Sequence, residues 1–486
     1  MKPNKNLLFL ALLVLNQLFS ATCTAEELQI PDMGDSTGAL ISPVQEKILG
    51  ESFFRSIRSQ LKISHDPDVQ EYIQSIGQTL VTNSDNPSQE FYFFVVLSDD
   101  INAFAGPGGY IGINSGLILN SNSESELASV IAHEIAHVTQ RHIYRAYEAS
   151  SRMSLPAAAA MIAAIIIATQ APEVGIGALS AIQARSVQMQ IDFTRDNEQE
   201  ADRIGIKILE RSGFDPRSMP DFFEKLQHAG RYYGEGAPEF LRTHPVTSSR
   251  ISDTRGRAEK YPYRQIPDSQ NYRLTKAKLR IGSENTKLND LVNYFQNKID
   301  QGTAEQRAAM QYGLGLTFIK KLQFNQAAEI FQSLNKRYPR QREYLTALAQ
   351  VAVDKQDFAT AKKHYLQLQK QYPGNAEYQF QYISILLKSN QPELALQHLK
   401  LIDYQNQQHP RYFQLLARAY GNLGRNVNLH RYMAEYFYAM GYTDAAIMQI
   451  KLAQNDKGLN FYQSAILEDR LHFFQAEMQA LKALQE

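Results

Sequence analysis

The stretch Ser123–Val138, SESELASVIAHEIAHV, decides how the rest of the chain is interpreted. Its apolar residues recur at helical spacing, and Ser123 with a glutamate three residues later is a capping-box signature. The sequence therefore predicts a helix that begins at Ser123 and runs to about Tyr147. His133 and His137 are one turn apart, so both imidazoles project from one face and can reach a single metal ion.

The same stretch contains the pattern HExxH, with Glu134 about 100° around the helix from His133. This offset keeps the carboxylate away from the two imidazoles and beside any water at the metal. Three specified positions arise by chance about once in 8,000 pentapeptides, so the pattern favours a catalytic metal centre over a coincidence.

A catalytic zinc normally has three protein ligands and an open position, so a third ligand is expected downstream. Residues 196–210 are predicted to be helical and are rich in carboxylates. Glu198 and Asp202 share one face: Glu198 could bind the metal, while Asp202 could orient a ligand histidine through its free ring N–H. Glu200 lies on another face and is the reserve ligand.

The region before the motif predicts a helix at 66–81, a strand at 90–97, a turn at Gly106–Gly109 and a short strand at Tyr110–Ile113.

Most histidines elsewhere lack metal-ligand spacing. His142, His228, His364 and His430 are expected to be ordinary packing or surface residues.

The N-terminus is typical of an export signal. Lys2 and Lys5 precede an apolar run at 7–19, and small residues then lead to acidic Glu26. The run is too short to span a roughly 30 Å hydrocarbon core comfortably, so cleavage after Ala25 is predicted. The single cysteine, Cys23, lies inside this segment, which leaves lipid attachment as the alternative.

Length and charge limit the remaining options. A chain of 486 residues predicts two to four domains. Lys plus Arg equals Asp plus Glu at 50 each, so nucleic acid is not an expected partner. The Ala- and Ile-rich segment 155–168 is too short to span a membrane and is predicted to be a packing helix, with peripheral membrane contact as the alternative.

The C-terminal part repeats with a period of 34 residues, which is typical of tetratricopeptide repeats. The repeated positions are Ala327, Ala361 and Ala395, together with the pairs 338–339 and 372–373, both Tyr-Pro. A small alanine lets two helices approach closely, and proline ends the second helix. We predict a helical connector at 267–302 and an all-α repeat solenoid at 303–486, whose last helix pairs depart from the period.

Four motifs together resemble the M48 family of zinc metallopeptidases: HEIAH at 133–137, EQEAD at 198–202, NAFAGPGG at 102–109 and THPVTSSR at 243–250. The resemblance implies an α+β zincin-type protease domain at 26–266, mainly helical with a small sheet bordering the cleft. It also implies one Zn²⁺ per chain, bound by His133, His137 and Glu198, with Glu134 as the catalytic acid/base. Nitrogen and oxygen ligands alone would also suit manganese or cobalt.

Two further features follow from the resemblance. The strand after Pro107 resembles the family's strand at the cleft, where a peptide substrate could add to the sheet. His244 could be a regulatory fourth ligand, whose loss would raise proteolysis, or an oxyanion donor, whose loss would lower it. Arg250 is expected to pair with a carboxylate, with substrate contact as the alternative.

Combined with the export signal and the repeats, the resemblance implies a periplasmic endopeptidase and chaperone-like factor in outer-membrane protein quality control. Its expected substrates are unfolded or misassembled β-barrel proteins, and the repeats are expected to bind the outer-membrane assembly machinery. The alternative is a repeat scaffold without proteolysis.

Overall fold

The computed structural model describes residues 42–144, 159, 161–164, 166–167, 195–233, 238–282 and 286–482, and these belong to one compact unit. The predicted export signal with Cys23, and half of the residues in the segment 155–168, lie outside the described residues. None of the described helices is long and apolar enough to cross a membrane.

The N-terminal region combines helices with a small sheet in the predicted order of helix, strand, turn and strand. Its helices are α1 (Pro43–Gln60), α2 (Pro67–Thr82), α3 (Ser115–Asn120), α4 (Glu124–Thr139), α5 (Arg195–Arg211), α6 (Ser218–Tyr233), α7 (Phe240–Thr243) and α8 (Ser248–Ala258). Its strands are β1 (Tyr92–Val96), β2 (Ala103–Ala105) and β3 (Tyr110–Asn114).

The sheet has the order β1-β3-β2, with β3 parallel to β1 and antiparallel to β2. The strand after Pro107 is therefore the central strand, and the prediction that a peptide could add to the sheet at this strand is wrong, because both of its sides are already paired. Gly108 and Gly109, with φ of 70° and 75°, reverse the chain tightly, so that β3 enters between the two earlier strands. The strand before the turn, β2, is an edge strand: it pairs with β3 on one side, and no described strand pairs with its other side.

The opposite edge of the sheet is closed by two glutamine side chains of α2. Gln70 donates from Nε2 to the carbonyl of Phe93, at 2.6 Å. Gln74 accepts from the N–H of Phe93 at 3.0 Å and donates to the carbonyl of Phe91 at 3.3 Å. These amides satisfy the outer backbone groups of Phe91 and Phe93 as a neighbouring strand would, and we call this feature the glutamine-capped edge.

The helix that carries HExxH, α4, lies at the centre of the N-terminal core. It packs against α2, α5, α6 and β2, and almost all of its side chains are buried. The helix ends at Thr139, so its predicted extension to Tyr147 is wrong. Arg141 has a φ of 56°, in the left-handed region, and this residue redirects the chain after the helix.

The C-terminal region consists of paired helices, which confirms the predicted tetratricopeptide solenoid and the fold class as a whole. The helices are α9 (Gln270–Gly282), α10 (Leu288–Lys298), α11 (Ala304–Lys320), α12 (Phe324–Arg337), α13 (Arg342–Asp354), α14 (Phe358–Gln371), α15 (Ala376–Lys388), α16 (Pro392–Leu399), α17 (Pro410–Asn422), α18 (Asn426–Ala439), α19 (Thr443–Gln454) and α20 (Phe461–Lys482). The repeated alanines, Ala327, Ala361 and Ala395, are fully buried between helices.

The repeats pack directly against the N-terminal region. Helix α9, inside the predicted connector, contacts α2, α3 and α11, and Lys278 on it pairs with Asp66 at 2.7 Å and Asp68 at 2.6 Å. Farther along, Arg55 of α1 pairs with Glu477 of α20 at 2.8 Å. The two regions thus form a continuous packed structure, within which the domain boundaries at 266 and 302 stay predictions.

Candidate metal centre

Four buried side chains converge beside α4: His133, His137, Glu198 and His244. Each offers one potential ligand atom, and these atoms all lie within 4.8 Å of one another. The two helix histidines are 3.0 Å apart at their Nε2 atoms. His133 Nε2 is 3.5 Å from Glu198 Oε2, and His137 Nε2 is 3.4 Å from Glu198 Oε1.

The two separations between Glu198 and the histidines fit a tetrahedral metal ion, while the two histidine nitrogens are somewhat closer to each other. With ligand bonds of about 2.0 to 2.2 Å, ligand atoms around such an ion are roughly 3.3 to 3.6 Å apart. His244 lies close to this arrangement: its Nδ1 is 3.4 Å from His133 Nε2, within the range, and 2.9 Å from Glu198 Oε1, which is shorter than the range. The four groups could therefore hold one ion together, with imidazole and carboxylate donors that suit zinc.

Close helix packing brings Glu198 to the two histidines. Helix α5 carries Glu198 and crosses α4 at Gly205, where an added Cβ would lie 3.3 Å from the backbone nitrogen of His133 and 2.9 Å from the side chain of Met219. A larger residue at this point would push α5 away from α4. Glycine therefore allows the carboxylate of α5 to reach the imidazoles of α4.

A short helix and a stacked ring position His244. It caps the C-terminus of α7, where its N–H donates to the carbonyl of Phe240 at 2.7 Å. The Phe240 ring stacks on the imidazole with centroids 4.8 Å apart. The side chain is only 2% exposed, so His244 is held inside the cluster and is not an ordinary surface histidine.

Asp202 and Arg250 form a buried ionic network behind the ligand atoms. Asp202 Oδ1 lies 3.0 Å from His133 Nδ1, the ring nitrogen that faces away from the cluster. Arg250 donates to both oxygens of Asp202 at 2.8 Å, and its Nη1 lies 2.7 Å from Glu198 Oε2. The guanidinium of Arg250 thus contacts Glu198 directly and is linked to His133 through Asp202.

The electrostatics of the cluster favour a positive charge at its centre. Burial lowers the pKa of His133, but hydrogen bonds with Asp202 and Glu198 outweigh it and raise the pKa to about 9. Burial raises the pKa of Glu198, yet His244, His133 and His137 hold it well below the usual range. An environment that keeps the carboxylate of Glu198 ionised and stabilises a cation at His133 is one that a metal ion fits.

Glu134 lies beside the four potential ligands. Its carboxylate accepts a hydrogen bond from the backbone N–H of Ala105, in the edge strand β2, and its Oε1 is 3.5 Å from His244 Nε2. Burial raises its pKa, against the opposing effect of His244 and His133. The carboxylate is therefore positioned between the cluster and the edge of the sheet, where it could exchange protons with a reacting group.

The structure brings His142 into the site, contrary to the sequence-based expectation. Its Nδ1 lies 2.8 Å from His137 Nδ1, and its Nε2 lies 3.2 Å from Glu200 Oε2. In an uninterrupted helix, a residue five positions after His137 would face away from it. The break at Arg141 turns the chain back onto the helix, and Glu200, the reserve ligand, contacts His142 instead of the ligand atoms.

Comparisons with known proteins agree with this architecture. Residues 67–258 match peptidase family M48, and residues 352–419 match the tetratricopeptide repeat. The chain is 33% identical to the beta-barrel assembly-enhancing protease of Escherichia coli (strain K12) over 471 residues, which cover 97% of this chain and 96% of that one.

Two further relatives extend the comparison. The beta-barrel assembly-enhancing protease of Yersinia pestis is 33% identical over 395 residues, or 81% of each chain. The mitochondrial metalloendopeptidase OMA1 of Arabidopsis thaliana is 31% identical over 156 residues, which cover 32% of this chain and 29% of that one. The chain belongs to peptidase family M48 and is a metalloendopeptidase that carries C-terminal tetratricopeptide repeats.

Proposed function

We propose that the chain is a zinc endopeptidase of the periplasm that acts in outer-membrane protein quality control. The convergence of His133, His137 and Glu198 beside the carboxylate of Glu134 carries this proposal. Zinc fits best because two imidazoles and one carboxylate are a common catalytic set for it. Zinc held there would act as a Lewis acid on the scissile carbonyl and on the attacking water.

The protein's own residues supply the remaining chemistry. Glu134 accepts the proton of the attacking water and returns it to the leaving amine. Asp202 fixes the orientation of His133 through the contact with its Nδ1, and Arg250 holds Asp202 and Glu198 in place. Proton transfer, ligand orientation and charge compensation are therefore divided among three different side chains.

The edge strand β2 supports binding of the substrate as an extended chain. Asn102 and Gly106, on either side of β2, pair with β3 through Asn114 N–H at 3.0 Å and Tyr110 O at 2.6 Å. Backbone groups alternate in direction along a strand, so those of Ala103 and Ala105 face away from β3. A peptide that adds there would pass Glu134, which already contacts the N–H of Ala105.

The biological setting rests on the relatives and on the N-terminal sequence. Two relatives that align along most of the chain are named beta-barrel assembly-enhancing proteases, and residues 1–25 are typical of an export signal. We infer that the substrates are misassembled outer-membrane β-barrel proteins. The repeats would bind the assembly machinery and give the protein a chaperone-like contribution, because such solenoids present extended surfaces to protein partners.

Metal content and cleavage together test this proposal. The purified mature protein is expected to contain about one zinc per chain by elemental mass spectrometry and to cleave an unfolded β-barrel protein. His133→Ala and Glu198→Ala should lose most of the zinc and the activity, whereas His228→Ala, on the exposed surface of α6, should lose neither. A folded wild type without metal or cleavage would instead favour a repeat scaffold.

We propose that His244 is a fourth ligand that keeps the enzyme latent. Its Nδ1 lies among the other ligand atoms, which favours this role over oxyanion donation. His244→Ala is therefore expected to raise the cleavage rate of an unfolded substrate. If the closed form holds nine-tenths of the molecules, opening the site gives an increase of about tenfold.

The measurement for His244→Ala is the initial rate at matched zinc content, with His228→Ala as the control. An oxyanion donor predicts the opposite sign, because its loss removes stabilisation of the transition state. A variant that retains zinc and cleaves more slowly than the wild type would therefore contradict latency.

A further inference from the structure

A second candidate site lies where the repeats meet the N-terminal region. A cavity of about 1130 Å³ is bounded by α1 and α2 on one side and by α15, α17 and α18 on the other. Neither Glu134 nor any of the four potential metal ligands lines it. Its volume exceeds the roughly 300 to 1,000 Å³ that is usual for small-molecule sites, so it has room for a short peptide.

Arg58, on α1, lines this cavity without a carboxylate partner. Its guanidinium lies over the Phe54 ring, 4.0 Å from the centroid, and donates to the carbonyl of Ala439 at 3.3 Å. No described acidic side chain lies within 4.0 Å of it. Arg55, one turn earlier on the same helix, differs in this respect because it pairs with Glu477 at 2.8 Å.

The surroundings of Arg58 add to the positive potential. The pKa of His409 is lowered to about 4, mainly by burial. The positive charges of Arg58 and Arg411 lower it further. The pKa of His65 is lowered by burial and by the same two arginines. Both imidazoles line the cavity, and their pKa shifts agree with an excess of positive charge there.

The carboxylates of the cavity are already engaged. Glu377 pairs with Arg411, and burial raises the pKa of Glu377 to about 7, which weakens its compensation of nearby charge. Glu71 pairs at 2.8 Å with Arg342, which does not line the cavity. Arg58 therefore remains the cation of the cavity that lacks an anionic partner among the described residues.

We propose that this cavity binds an acidic polypeptide segment and that a carboxylate of the segment pairs with Arg58. An arginine fork matches a carboxylate in two hydrogen bonds, and the floor of Phe54 and Phe380 provides an apolar contact for a neighbouring side chain. The amide side chains of Gln78 and Gln414 line the cavity without hydrogen bonds to other described residues and could bind peptide backbone groups.

A polypeptide fits this lining better than a lipid headgroup or free phosphate. The cavity mixes two arginines with two carboxylates and several amides, so a multiply charged anion would meet repulsion from Glu71 and Glu377. A peptide instead places one carboxylate at Arg58 and fills the remaining surface with amide groups and side chains. Helical repeats commonly bind protein segments in this way.

Peptide binding to the full mature chain tests the proposal. The probe is a fluorescein-labelled peptide, Ser-Phe-Glu-Phe-Glu-Ser, and Glu134→Gln serves as the background so that cleavage does not interfere. We expect anisotropy titration to show binding that weakens at least tenfold in Arg58→Gln and when both peptide glutamates become glutamine. Arg58→Lys, which keeps the charge, should recover part of the loss.

Arg55→Gln is the matched control, since it removes an arginine from the same helix and breaks a contact between the same two regions. Its peptide affinity should stay within twofold of the parent. Equal losses in both variants would show that domain docking, and not a carboxylate contact, determines binding, and would overturn the proposal.

Unchanged affinity in Arg58→Gln, or binding to phosphatidylglycerol vesicles or inorganic phosphate in place of the peptide, would also overturn the proposal. Thermal melting of each variant identifies any that fails to fold, in which case Arg58→Lys and the glutamine peptide still decide. Binding is measured without cleavage, so the result is separate from that for the proposed endopeptidase.

Discussion

Replacing Glu134 with glutamine is expected to eliminate measurable peptide cleavage while the metal remains bound. Glutamine has nearly the same shape, so His133, His137 and Glu198 keep their arrangement around the ion. It cannot accept the proton of the attacking water, and loss of general acid/base catalysis typically costs about 10²- to 10⁴-fold in rate. The carboxylate is the buried acid that faces both the cluster and the edge strand, through its contacts with His244 and Ala105.

The measurement pairs the turnover of an unfolded substrate with the zinc content of the same preparation. Glu224→Gln is a matched control, because this carboxylate lies on the outer side of α6 and pairs with Arg255. The control should keep both zinc and activity. Turnover by Glu134→Gln within tenfold of the wild type would contradict a role in proton transfer.

Replacing Arg250 with methionine is expected to lower the free energy of unfolding by about 3 to 5 kcal/mol. Arg250 is 2% exposed and contacts the carboxylates of Asp202 and Glu198 at 2.7 to 2.8 Å. Methionine fills a similar volume but leaves two carboxylates buried near each other without the guanidinium. The cost therefore comes from uncompensated charge more than from lost packing.

Denaturant unfolding with a chelator present measures this effect, because a bound metal would otherwise mask it. Arg255→Met, on the same helix, is the matched control. Its side chain is 41% exposed and pairs with Glu224 at 2.7 Å, so its loss should cost about 1 kcal/mol or less after solvent screening. Equal destabilisation by the two substitutions would contradict the buried network.

Local spacing was sufficient to predict most of the site. Residues one helical turn apart share a face of the helix regardless of the tertiary structure. For this reason Glu198 and Asp202 both lie beside His133. The repeated alanines were equally predictable, because a fixed period of 34 residues reflects one recurring helix pair.

The features that sequence reasoning missed depend on chain reversals and on pairing between distant segments. His142 reaches His137 only because Arg141 adopts a left-handed conformation, which the residue type does not indicate. The order of the strands in the sheet likewise depends on where β3 pairs. It inserts between β1 and β2, but from the sequence it could equally have paired on the outer side of either strand. A glycine pair predicts a turn but does not specify which strand becomes central.

The glutamine-capped edge has a consequence for how extended chains can meet the sheet. Because Gln70 and Gln74 occupy the outer backbone groups of Phe91 and Phe93, an extended chain cannot pair with those groups, and β2 is the side where we propose that a substrate adds. A sheet open on both sides would act as a seed on which extended chains stack in two directions. With the β1 side blocked, at most the β2 side remains for pairing, so this sheet cannot join two extended chains into one stack.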